Sequence, residues 1–118
     1  MQVTKLRANV TFDRDAMVVA LDGEMDAATC EDVRSTFLHL QWEGLSRIAV
    51  DLRRVGFMDS TGLAVLIDLK HRADQHGTPL VLVPGPRLVR RVFDLTGTTG
   101  QFSWVDGSAI DHVAELAD

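Results

Sequence analysis

The chain has 118 residues, 46% of them hydrophobic and 25% charged, which suits one globular domain over residues 1–118 and excludes general disorder. A net charge of −5 counts against general nucleic-acid binding, which needs clustered positive charge. Cys30 is the only cysteine, the opening MQVTKLRANVTF lacks a signal sequence's apolar run, and the apolar stretch 62–69 is interrupted by Asp68, so a cytoplasmic protein off the membrane is expected.

Leu6, Ala8, Val10 and Phe12 share one parity, and residues 17–21 form a short apolar run ending at Asp22-Gly23. Both predict strands, with Asp13-Arg14-Asp15 as the turn between them. From 27 to about 42, Cys30, Val33, Phe37 and Leu40 recur at helical spacing, with Asp26 in the N-cap position and Gly44 as the stop signal. Residues 47–52 read as a strand covered on both faces, followed by a six-residue loop. A second helix is predicted from Ser60 to about His76, then a buried strand over 80–83. Pro86 takes a helix N1 position and the helix continues over 87–95, stopping before Gly97. Residues 102–105 give a last strand, and 107–116 a final helix with Ile110, Val113 and Ala114 on one face. The alternation predicts an α/β domain with a mostly parallel sheet of four to five strands, about four helices and the opening hairpin at an edge. Strand order is not legible at this level.

The informative stretch is VDLRRVGFMDSTGLAVLI, residues 50–67, where a strand leads through a loop to a helix opened by Asp59-Ser60-Thr61-Gly62. A helix N-terminus leaves backbone N–H groups without intrahelical partners and carries partial positive charge. Asp59, Ser60 and Thr61 can each accept from those donors, and the same position favours an attached phosphate. Taken alone, the tetrapeptide reads as a cap. Three capping candidates are nevertheless more than one helix start requires, and the loop before them ends in the apolar pair Phe57-Met58. Gly62 leaves room for another backbone or a partner to approach.

These residues resemble the STAS-domain proteins of the bacterial anti-sigma factor antagonist family. Two signatures carry the likeness: Leu21-Asp22-Gly23-Glu24-Met25-Asp26, and residues 51–63 with Met-Asp-Ser-Thr-Gly-Leu at their end. Residues 89–97, VRRVFDLTG, also resemble the family's third helix, so the likeness covers nearly the whole chain. The resemblance implies that Ser60 is the serine phosphorylated by a cognate anti-sigma factor, itself a serine kinase, with Asp26 and Asp59 as acidic neighbours. It further implies that the unphosphorylated form captures the anti-sigma factor and frees a sigma factor, and that a separate phosphatase resets Ser60. Thr61, Gly62 and Arg54 complete the expected switch and partner surface, Arg54 as a steering charge. A monomer or weak dimer without a cofactor is expected.

Competing readings lack parts. A serine hydrolase needs Gly-x-Ser-x-Gly, and Ser60 has Met58 and Gly62 around it instead. His39, His71, His76 and His112 show no metal-ligand spacing, and no phosphate loop or dinucleotide fingerprint is present. A receiver domain needs an acidic pair after its first strand and a late lysine, whereas the lysines here are Lys5 and Lys70. Arg87, Arg90 and Arg91 read as a solvated face, Cys30 as a small core residue, and Trp42 and Trp104 as packing. Two alternatives remain open: a scaffold subunit of a larger stress-signalling or lipid-transport assembly in which Ser60 only caps, and small-molecule or nucleotide binding at the helix start.

Overall fold

An alternating stretch and the apolar run after it fold back on each other, so that β1 (Leu6–Asp13) and β2 (Ala16–Met25) pair antiparallel with Val10 opposite Val19. The computed structural model describes residues 5–111. Three further strands, β3 (Arg47–Met58), β4 (Leu80–Val83) and β5 (Ser103–Trp104), join in parallel, giving the sheet order β1-β2-β3-β4-β5. The crossovers are α1 (Cys30–Leu38), α2 (Ser60–Gln75) and α3 (Arg87–Thr96).

The strand order decides where the helices go. Parallel crossovers are right-handed, and here each one steps in the same direction across the sheet, so all three helices fall on one face. The buried side chains agree: Cys30, Val33 and Phe37, Leu63, Leu66 and Leu69, and Val89 and Phe93 pack in one cluster with Val19, Leu21, Val50 and Leu52. On the second face a smaller cluster joins Val18, Ala49 and Val83 to Ile110. Ile110 belongs to a helical turn at 108–111, started where Asp106 accepts the Ser108 N–H at 2.9 Å. Arg53 holds that turn to β3 with bonds to both Asp51 oxygens at 3.0 Å and to Asp111 at 2.7 Å. Asp51 above all, with Asp111, keeps its guanidinium more firmly charged than an ordinary arginine.

Three expectations need correction. First, α1 begins at Cys30, not at residue 27, and ends at Leu38 with His39 as the cap, its ring donating to the Ser35 carbonyl at 2.8 Å. The helical periodicity overran because Leu40 and Trp42 also pack on the core, from the segment after the helix. Trp42 there lies flat against His76, the C-cap of α2, at 4.9 Å and 3°. Second, the six-residue loop before Asp59 is strand: β3 continues to Met58. It carries two register shifts against β2, one between Ala20 and Asp22 and one between Gly23 and Glu24. Each inserts an extra residue in β3, so neighbours Arg53-Arg54 and Gly56-Phe57 are exposed together and the period of two disappears. Third, Pro86 is the N-cap of α3 rather than its first residue, and β5 is the two residues Ser103–Trp104. Beyond residue 111 the expected final helix, with His112, Val113 and Ala114, lies outside the described residues, as do residues 1–4. Among the described residues no helix is long and apolar enough to cross a membrane.

Phe93 ties α3 to the end of the sheet, meeting Phe102 edge-on at 5.5 Å and Trp104 at 5.0 Å. Phe93→Ala leaves a cavity under both rings, so its expected cost is about 3–5 kcal/mol, read from the urea midpoint at unchanged slope.

Candidate functional site

The corner where β2 and β3 end and α2 begins is built from backbone outward. β2 ends at Met25 and β3 at Met58, paired in register, and one residue, Asp59, separates β3 from the helix. Asp59 turns the chain with extended φ and ψ of −113° and −168°, its N–H donating to the Met25 carbonyl at 3.1 Å. Its carboxylate then accepts the N–H groups of Thr61 at 2.9 Å and Gly62 at 3.2 Å, as an N-cap does. Gly62 is buried against β2: a Cβ built there meets the Met25 Cβ and carbonyl oxygen, each at 2.7 Å. Glycine is therefore a packing requirement at this position. Ser60, the first helical residue, is left exposed at the end of the sheet.

Asp26 follows Met25 directly and so stands beside Asp59. It is not the N-cap of α1, which is Thr29. Its carboxylate instead closes the turn before the helix, accepting from the N–H groups of Ala28 at 2.9 Å and Thr29 at 3.1 Å. The Thr29 hydroxyl accepts the Asp26 N–H at 3.0 Å and donates to the Glu24 carbonyl. Thr29 was not among the residues singled out from sequence, although the Asp26-x-x-Thr29 spacing of two capping residue types was its visible signal. Burial pushes the Cys30 thiol up, the nearby Asp59 charge adds to this, and Asp26 contributes further, while a hydrogen bond with Thr29 works the other way. The thiol stays protonated, a core group rather than a nucleophile.

Ser60, Asp59, Thr61, Gly62 and Asp26 thus share one corner. Arg54 does not: it stands opposite Asp22 in the ladder and, with Arg53 and Asp51, lines a cleft of about 560 Å³ on the other face of the sheet. Near the end of β3 the large exposed apolar side chain is Phe57, paired in register with Glu24. The N–H groups of Thr61 and Gly62 are engaged by the chain's own carboxylate, so this helix start presents Ser60 outward instead of cradling an anion. Among the described residues no cluster of three histidine, cysteine or acidic side chains could hold a metal. Gly62→Ala forces α2 away from Met25, with an expected loss of about 1–3 kcal/mol in chemical denaturation, while Ala64→Ser on the exposed side of α2 changes little.

Residues 8–105 match the family model described as Mlab, STAS domain. The anti-sigma-B factor antagonist of Staphylococcus epidermidis is 26% identical over 102 residues, covering 86% of this chain and 94% of that protein. Among solved structures, an anti-sigma factor antagonist from Mycobacterium paratuberculosis superposes with a TM-score of 0.77 at 21% identity, covering 96% of this chain and 95% of the other. The anti-sigma factor antagonist SpoIIAA in its unphosphorylated form gives 0.70 at 22% identity, covering 92% and 97%. Its phosphorylated form, described as a Bacillus cell fate determinant, gives 0.68 at 23% identity, covering 91% and 99%. With a family match running from β1 to β5, the chain belongs to the STAS domain family.

Proposed function

We propose that this protein is an anti-sigma factor antagonist, a binding protein rather than an enzyme, working in the cytoplasm as one domain over residues 1–118. Unphosphorylated, it captures a cognate anti-sigma factor of the serine-kinase type and so releases a sigma factor. Phosphorylation of Ser60 ends the capture, and a serine phosphatase restores it. The observation that carries this reading is the exposed Ser60 at the head of α2, beside a carboxylate that already occupies the helix donors. The names of the relatives support the class of function.

The physical argument is local. A phosphate adds about −1.5 to −2 charge and three acceptor oxygens. Here it is added next to Asp59 and near Asp26, with the N–H groups of Thr61 and Gly62 already engaged. The helix dipole offsets part of the repulsion within the protein. A partner seated over Ser60 meets instead a bulky anion that must be desolvated between the two surfaces. Losing about 3 kcal/mol at that contact weakens binding roughly a hundredfold. In this reading Phe57 and Thr61 border the contact and Gly62 sets the helix against the sheet. Arg54, on the other face, acts at a distance through charge steering.

The test is affinity capture from lysate of the source cells with wild-type, Ser60→Ala and Ser60→Asp baits, followed by mass spectrometry. A small kinase-type anti-sigma factor is expected with the first two and not with Ser60→Asp; titration of the recovered partner should give the roughly hundredfold loss. If all three baits hold the same proteins, or only subunits of a larger assembly, Ser60 is a cap and the scaffold reading replaces this one.

A further inference from the structure

Strand β1 carries an open edge suited to a second copy of the same chain. Among the described residues, no strand pairs with it on the side away from β2. The Lys5 carbonyl accepts the Glu24 N–H, which assigns the odd-numbered residues of β1 to the ladder with β2. The N–H and C=O groups of Leu6, Ala8, Val10 and Phe12 therefore point out of the sheet.

Exposed edges are commonly blunted by proline, a bulge or a central charge. β1 pairs with β2 over all eight of its residues in unbroken register, contains no proline, and is uncharged from Ala8 to Phe12. Val10 and Phe12 are 39% and 58% exposed and, with Met17 and Leu40, wall an apolar groove beside this edge.

The strand is also complementary to itself. With a two-fold axis at Val10, Ala8 faces Phe12 and Asn9 faces Thr11 of the other copy, while Arg7 faces Asp13. The outward groups of residues 8, 10 and 12 then meet one another, as an antiparallel ladder requires. Centring the axis on Asn9 puts Arg7 opposite Thr11, and centring it on Thr11 puts Asp13 opposite Asn9. The first shift leaves Asp13 facing Lys5, which precedes the strand, and the second leaves Arg7 against the turn, so only the register about Val10 sets opposite charges against each other within β1.

We propose that this edge is the interface of a symmetric homodimer, in which β1 pairs antiparallel with β1 of a second copy about Val10. The contact is isologous and closes on itself, so it stops at two copies. The Ser60 corners lie on either side of the axis and point in opposite directions, so each remains outside the contact.

The test is sedimentation of the full chain from micromolar to near-millimolar concentration. Wild-type protein is expected to pass from monomer to dimer over that range. Arg7→Asp and Asp13→Arg each place like charges across both ends of the interface and should raise the dissociation constant about tenfold. Mixed in equal amounts, these two variants should regain wild-type association. The two substituted positions then face each other with opposite charges at one end of the interface, and the unaltered Arg7 and Asp13 do so at the other. Val10→Pro removes an outward donor without touching the ladder to β2, so it should be monomeric with a wild-type circular dichroism spectrum. A wild-type protein that stays monomeric throughout, or a mixture no stronger than its separate components, overturns the proposal.

Discussion

The hydrogen bond from the Asp59 N–H to the Met25 carbonyl, with Gly62 seated against Met25 behind it, joins the end of β2 to the start of α2. Because only Asp59 separates β3 from the helix, any change in this seat moves the helix as a whole. The two bulges of β3 serve the same joint. They lengthen β3 relative to β2, so that Met58 still arrives opposite Met25. Helix position, strand length and the exposure of Ser60 are therefore one geometric solution.

The electrostatics of the corner follow from the same joint. Asp59 is committed to the helix N–H groups and Asp26 to the turn before α1, so each carboxylate is held by backbone donors at about 3 Å. Hydrogen bonds of this kind keep side chains in place. Ser60 stands among fixed negative groups, with its neighbours' donors engaged. In the proposed switch, a phosphate on Ser60 acts at the surface and asks for no rearrangement of the fold.

The sheet divides the molecule's work between its faces. Consecutive right-handed crossovers place three helices and most of the core on one side. The other side carries the small cluster around Ile110 and the Arg53 bonds to Asp51 and Asp111. Arg54 belongs to this second face, so two arginines close to Ser60 in sequence line a cleft away from the head of α2. Adjacency along a bulged strand says little about adjacency at its end.

Sequence alone determined the α/β class, the alternation of strands and helices, and the head of α2, because these depend on local periodicity and capping chemistry. Ser60, Asp59, Thr61 and Gly62 were legible for that reason: they are consecutive, and a helix start leaves a chemical trace. The extent of β3 was hidden because two inserted residues break the alternation by which strands are recognised. The limits of α1 were blurred because Leu40 and Trp42 reach the same core from outside the helix. Only the tertiary structure decided the strand order, the placing of Asp26 beside Asp59 and the distance of Arg54 from both. Those relations depend on which strand ends meet across the sheet, and pairing between distant segments leaves no periodic mark in either one.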